Sequence, residues 1–299
     1  MTQGALGFGF RIGHWTEAGR RTGCTVILPP ADNVASCDIR GSSPSSRELP
    51  LLDLERRLSE VHAVLLTGGS AFGLAAAEGV VSWLEERNIG YRTRIATVPI
   101  VPAAVIFDAA AGAPGLRPRA EAGRAACETA TDGPVEIGRV GAGAGATVGK
   151  WAGFSRARPG GLGIASARAE GQSVSAVVVV NSVGDVVGAD GSVVTGGDAP
   201  QAGTWPEEPA SSQEDVPTNT VIGLIAVQAN LDKREVRWLA ARGSDGITVS
   251  VRPAHTRYDG DVVFAVAAPA PGDVPPDLDL LGRLATEAVA AAVRAGVGA

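Results

Sequence analysis

Two aspartates flank one glycine in "YDGDVVFAV": Asp259 and Asp261 around Gly260. If the strand that follows already begins there, residues two apart project to the same side and the carboxylates converge on one point. Paired carboxylates can do acid–base work. The competing reading is a turn, because Asp-Gly is a turn pair. A second candidate is Thr220, in "EDVPTNTVIGLIAV". A polar, proline-bearing stretch ends at Asn219-Thr220, and an apolar run from Val221 to Val227 starts at once. A threonine hydroxyl is a poor nucleophile unless a base adjoins it. A free α-amino group on the same residue supplies that base, with a reference pKa of about 7.7 to 8.0. Such chemistry requires cutting the Asn219–Thr220 bond. A junction between loop and strand is where such a bond is expected to be exposed and strained. The ordinary alternative is a plain strand start, since threonine favours strands.

Lys150 is one of two lysines in the chain, with Lys233. It closes the glycine-rich run "VGAGAGATVGK". A phosphate loop needs Ser or Thr after Gly-Lys, and Trp151 stands there instead. Gly141, Gly143 and Gly145 alternate without the dinucleotide-binding spacing. Two readings stay open: a close-packed loop, or a backbone wall beside a pocket with Lys150 pointing in. In "GGSAFG", Ser70 follows two glycines, but the spacing is not that of a nucleophile elbow. It reads as a cap of the following helix or as part of a pocket wall. His14, His62 and His255 are isolated, without metal-ligand spacing, so no metal is expected. His255 reads as structural or pocket-lining.

The elements that would hold these residues alternate between strand and helix. "TGCTVILP" (22–29) is a strand ended by Pro29-Pro30. "VASCDIRG" (34–41) is a second. Residues 63–84 have the length of a membrane span. Yet Gly68-Gly69-Ser70 and Glu78 interrupt them, and strand, glycine turn and helix explain them better. "EAGRAACETA" (121–130) reads as a helix. Residues 173–180 form a strand with Asn181 at its end, and Asp190-Gly191 marks a turn. Residues 198–218, without periodicity, read as a long exposed loop or a locally disordered linker. After it come strand "TVIGLIAV", helix "NLDKREVRWLAARGSDG" stopped by Gly243, strands "ITVSVRP" and "YDGDVVFAVAA", and a closing amphipathic helix. This pattern suits an α/β sandwich with helices over the sheets.

Composition bounds the rest. The 299 residues are 45% hydrophobic and 19% charged, enough for a substantial core. Aromatics are only 4% while glycines number 40, so small residues pack closely. A net charge of -6 argues against a nucleic-acid partner. Three cysteines without a CxxC pair fit a reducing compartment or inert buried thiols. The first residues lack a basic head with a long apolar core, so a secretory signal is not expected.

Over nearly its whole length the chain resembles the self-processing P1 family of peptidases. That group holds the L-aminopeptidase/D-amidase-esterases, the β-peptidyl aminopeptidases and the nylon-oligomer hydrolases. The resemblance rests on the order of "TGCTVILP", "IRGSSPSSRE", "LLTGGSAFGLAAAEGV", "VPAAVIFD", "VGAGAGATVGK", "VVVVNSVGDV", "TNTVIGLIAV" and "HTRYDGDVVFAV". It implies a four-layer αββα sandwich, with Ntn-hydrolase-like layering and different connectivity. It implies self-cleavage after Asn219, giving subunits 1–219 and 220–299 with Thr220 as N-terminal nucleophile. Aminopeptidase members carry a Ser-Gly-Glu group where this chain has Asp259-Gly260-Asp261. The pattern is similar instead to the nylon-oligomer hydrolase branch, where two aspartates, a lysine and an asparagine surround the threonine. The lysine matches Lys150 and the asparagine Asn181. The aspartates would tune the amino group, and Lys150 and Asn181 would polarise the carbonyl. Ser70, Phe72, Gly143 and Gly145 would bound a pocket for a small peptide or amide. No cofactor, no nucleic acid and no membrane are implied. A cytoplasmic homotetramer of processed protomers is. Two alternatives carry different junctions or none: an ornithine acetyltransferase-like enzyme, whose Lys-Gly-Ala-Thr type junction "TNTVIG" lacks, and a binding protein of the same fold that never cleaves.

Overall fold

Two five-stranded mixed sheets face each other in the computed structural model. It describes residues 2–108, 115–151, 153, 156–195, 219–272 and 275–298. The expected loop at 198–218 lies outside these. The first sheet holds β1 (Arg11–Thr16), β2 (Gly23–Leu28), β4 (Ser46–Arg47), β5 (Val64–Thr67) and β6 (Ala103–Val105), in the order β1-β2-β5-β6-β4. The second holds β3 (Val34–Ile39), β7 (Gly161–Ala169), β8 (Gln172–Asn181), β9 (Thr220–Gln228) and β10 (Val262–Ala268), in the order β7-β8-β9-β10-β3. Each sheet has one parallel pair, β5 with β6 and β9 with β10. The remaining pairs are antiparallel.

Alternation along the strands assigns each side chain to a layer. In β9, Ile222, Leu224 and Ala226 enter the core between the sheets. Val221, Ile225 and Val227 face α3 (Lys233–Ser250) and α4 (Leu278–Gly296). The first sheet is covered in the same way by α1 (Ala76–Glu85) and α2 (Ala120–Glu128), through Cys24, Val26, Leu65 and Ala103. The result is the four-layer αββα sandwich expected from the sequence. β9 is buried on both faces, which is why it reads as an unbroken apolar run.

Glycine and alanine let the layers approach closely. A Cβ on Gly79 of α1 would meet the Ala120 carbonyl oxygen at 1.7 Å, and one on Gly163 of β7 would meet that of Ala292 in α4 at 1.9 Å. The same cause corrects one sequence expectation. Gly243 does not stop α3, which continues to Ser250. A Cβ there would meet Ile225 Cδ1 at 2.3 Å and Val263 Cγ1 at 2.9 Å. The glycine seats the helix on the sheet, and that packing outweighs its low helix propensity, about 1 kcal/mol against alanine. Most of "ITVSVRP", residues 247–250, is therefore the last turn of α3. Only Val251–Arg252 is a strand, paired with Asp185–Val186. At the other end of α3, Asp232 and Glu235 form a reciprocal capping box.

Two further differences bear on the site. Ser70 is not a capping serine. It opens a 3-10 turn, Ser70–Ala75, preceded by Gly69 at φ 83°, and no side chain caps that turn. "GGLGIASARA", which carried no strand expectation, forms β7 by hairpin pairing with β8. In place of a membrane span, residues 63–84 run through β5, the 3-10 turn and α1. No described helix is long and apolar enough to cross a membrane.

Candidate active site

Strand register brings three chain segments to one end of the second sheet. β8 pairs with β9 so that Asn181 stands opposite Thr220. The parallel β9–β10 pairing continues past the strand starts as an isolated bridge between Asn219 and Asp259. The expected Asp-Gly turn is displaced. β10 starts at Val262, and the turn lies one step earlier, at Arg257-Tyr258, closed by Asp259 N–H on the Thr256 carbonyl at 3.1 Å. Asp259 and Asp261 are then free to point inward. Thr220, Asn219, Asn181, Lys150, Asp259 and Asp261 are all buried.

The Thr220 hydroxyl donates to the carbonyl of its own predecessor, Asn219. That carbonyl also accepts the Gly260 N–H at 3.2 Å. Asp261 Oδ1 accepts the Val221 N–H at 2.6 Å, one residue beyond the threonine. Asp259 Oδ2 accepts both the backbone N–H and the hydroxyl of Thr256, each at 2.7 Å. Lys150 Nζ donates to Thr147 Oγ1 at 3.0 Å and to Asn181 Oδ1 at 3.1 Å. Asn181 Oδ1 accepts the Thr147 N–H as well, and its Nδ2 donates to the Phe107 carbonyl at 3.3 Å. Backbone bonds from Lys150 and Trp151 to the Val183 carbonyl fix the turn that carries the lysine, and Trp151 Nε1 donates to Asp185 at 2.8 Å.

Burial shifts the two titratable partners toward each other. It pushes Asp259 up to about 6, helped by the charge of Asp261 and opposed by the Thr256 bonds. It pushes Lys150 down to about 7, opposed by the nearby Asp259 charge. A buried acid and a buried base that both titrate near neutrality exchange a proton at little cost, which is what general acid–base work needs.

The other expected residues lie one layer away or behind. Ser70 N–H donates to the Ile106 carbonyl, so the "GGSAFG" turn shares the 106–108 segment with Asn181. Phe72 is 67% exposed, beneath the Arg117 guanidinium. Gly143 and Gly145 are packing positions. Cβ atoms there would meet Leu162 N at 2.3 Å and the Arg21 carbonyl at 2.0 Å, so the loop is close-packed at both positions, while Lys150 at its end points into the buried set. Among the described residues no cluster of ligating side chains could hold a metal ion.

Gly41 and His255 also build the site; sequence reasoning gave Gly41 no part in it and read His255 only as structural or pocket-lining. Gly41 lies in the quoted stretch "IRGSSPSSRE". A Cβ on it would meet Asp261 N at 2.1 Å and the Asp259 carbonyl oxygen at 2.5 Å. Its neighbour Arg40 is tied by ion pairs to Asp38 and Asp245, so the end of β3 cannot simply move away. Gly41→Ala must therefore displace the Asp259–Asp261 backbone. The expected result is a folded protein whose amide turnover falls on the order of 10²-fold, as ångström-scale misplacement does. Steady-state kinetics beside a circular-dichroism melt checks this, and wild-type turnover in the variant would show that the contact does not position the aspartates.

Compared with known proteins, residues 8–299 match peptidase family S58. The chain belongs to peptidase family S58. It is 41% identical over 313 residues to an uncharacterised aminopeptidase of Mycobacterium leprae, covering 95% of this chain and 84% of that one. It is 34% identical over 254 residues to a 6-aminohexanoate-oligomer endohydrolase of an Agromyces species, covering 82% and 69%. Among solved structures, the L-aminopeptidase D-Ala-esterase/amidase from Ochrobactrum anthropi, described as a variant of the Ntn hydrolase fold, superposes with TM-score 0.74 at 20% identity over 98% of this chain and 86% of that one. A β-aminopeptidase of a Burkholderia species gives 0.73 at 22%, over 99% and 88%. Membership in S58 makes this protein an N-terminal-nucleophile hydrolase of the self-processing peptidase type.

Proposed function

We propose that this S58 chain cuts itself between Asn219 and Thr220, and that the new N-terminal Thr220 then hydrolyses small amides. The observation that carries this is the Thr220 hydroxyl lying on the Asn219 carbonyl, inside a buried set of Asp259, Asp261, Lys150 and Asn181. In the uncut chain, Thr220 Oγ attacks the Asn219 carbonyl carbon and its proton passes to Asp259 or Lys150. The Gly260 N–H faces the oxygen on which negative charge develops. The C–N bond breaks as the nitrogen is protonated, leaving an ester. Water hydrolyses the ester to an Asn219 carboxylate and a free Thr220 amino group. In turnover the amino group accepts the hydroxyl proton as Oγ attacks a substrate carbonyl. Lys150 and Asn181 polarise that carbonyl, the amine leaves, and water releases the acyl group.

The two aspartates with Lys150 and Asn181 favour chemistry like that of the 6-aminohexanoate-oligomer endohydrolases. Similarity over the whole chain is greater to the mycobacterial aminopeptidase. A substrate panel of aminoacyl anilides, D-amino-acid esters, β-peptides and ω-amino acid oligomers separates the two, and oligomer cleavage without anilide cleavage is the result this site favours. The processed protomers are proposed to act as cytoplasmic homotetramers, for which light scattering is the check.

Mass spectrometry of purified protein tests the processing step. Two fragments should appear, 1–219 and 220–299, and N-terminal sequencing of the smaller should begin Thr-Val-Ile-Gly. They should co-elute on gel filtration, because β9 and β10 of the small fragment pair with β8 and β3 of the large one. A chain still intact after long incubation would leave only a non-cleaving binding protein of this fold.

A further inference from the structure

His255 meets two oxygens. Its Nδ1 lies 2.7 Å from Asp261 Oδ2 and its Nε2 3.2 Å from the Ser244 carbonyl oxygen of α3. A carbonyl only accepts, so Nε2 carries a proton. Nδ1 and Oδ2 would repel as two bare lone pairs, so a second proton lies between them. Whether that proton rests on the ring or on the carboxylate, the His255–Asp261 pair has zero net charge. The Ser244 carbonyl that Nε2 meets is itself fixed, on a buried residue inside an 18-residue helix. Asp261 is thus clamped twice. Oδ2 holds the ring, and Oδ1 holds the Val221 N–H next to the nucleophile.

The surrounding charges fit this arrangement. Burial disfavours a charged ring, but the Asp261 hydrogen bond and charge, with the Ser244 carbonyl, outweigh it and raise the His255 pKa above 6.5. Arg40 opposes from the end of β3, and its guanidinium is engaged by Asp38 and Asp245. Asp259 faces Asp261 from the same segment.

We propose that His255 is a positioning residue. It neutralises and orients Asp261, so that Asp259 alone is left to exchange protons with Lys150 and the Thr220 amino group. This rests on the reading of Thr220 as nucleophile. It divides the labour between two aspartates that the motif presents as equivalent: one is a fixed, compensated anchor and the other a working acid–base group.

Nitrogen-15 NMR of imidazole-labelled wild-type protein tests the shared proton without any assay. The chain has three histidines. Burial holds His14 down at about 4 and lowers His62. At pH 7 one imidazole should therefore show a protonated Nε2 and an Nδ1 that is protonated or shares a proton, and this signal should vanish in His255→Gln. A His255 with a bare Nδ1 and no shared proton would overturn the proposal, even if neither variant folds. In processed His255→Gln and His255→Asn, kcat should fall by about tenfold to 10²-fold with KM unchanged, the pattern of misplaced chemistry and not of lost binding. Wild-type kcat in both variants, in an assay where Thr220→Ala is dead, removes the role of His255 alone. An active Thr220→Ala removes the nucleophile reading instead.

Discussion

Thr220→Ala is expected to remain one chain of 299 residues and to lose amide turnover by on the order of 10³-fold or more, the scale of a deleted nucleophile. The variant should still fold. Thr220 opens β9, but the burial that holds the strand comes from Val221, Ile222, Leu224 and Ile225, each contributing roughly 1.5–3 kcal/mol. The hydroxyl makes one described hydrogen bond, to the Asn219 carbonyl, and alanine leaves that oxygen the Gly260 N–H. Thr220→Ser keeps the hydroxyl and should still be cut, more slowly, since the missing methyl frees a rotamer that threonine restricts. Mass spectrometry follows the cut and amine release follows turnover. A Thr220→Ala protein that appears as two fragments, or that turns over substrate, would show that another group attacks.

Asp259→Asn should separate processing from turnover. If the aspartates only shaped a turn, asparagine would serve equally well. Asp259 does close the Arg257-Tyr258 turn, through its N–H and its Oδ2 on Thr256, but its charge also acts on Lys150, and asparagine would keep the first role and lose the second. Loss of its charge should slow turnover of isolated, fully processed enzyme by on the order of 10²-fold or more. At least one of Asp259→Asn and Asp261→Asn should be cut yet nearly inactive. Self-cleavage of the wild type should also carry a pH signature. Asp259 is raised to about 6, so it is protonated below that pH and cannot accept the Thr220 proton. The cleavage rate should fall as pH drops through about 6, and that fall should disappear in Asp259→Asn, leaving a low rate whose remaining pH dependence is that of Lys150. Quenched time points on denaturing gels from pH 5 to 8 give the profile. Processed Asp259→Asn and Asp261→Asn enzymes that both keep more than half of wild-type turnover would take the aspartates out of the chemistry. Lys150 and Asn181 would then have to activate the nucleophile alone.

The sequence alone determined the fold class and the candidate chemistry. Apolar runs such as Val221 to Val227 demand burial on both faces, and the glycine and alanine content permits close helix–sheet approach, so an α/β sandwich with helices over its sheets follows from local pattern, while its four αββα layers were implied only by the family resemblance. The abrupt change at Asn219-Thr220 and the Asp259-Gly260-Asp261 spacing are likewise local. Register is not local. Whether Asn181 stands opposite Thr220, or Asp259 beside Asn219, depends on pairings between segments tens of residues apart. Gly243 reads as a helix stop until the strand packed against it is known, because propensity reports the backbone's preference and not the neighbour a side chain would strike. His255 looked isolated in the chain, and only folding brings it 2.7 Å from Asp261. The near-neutral pKa values of Asp259 and Lys150 arise from burial and proximity, which no residue type carries by itself.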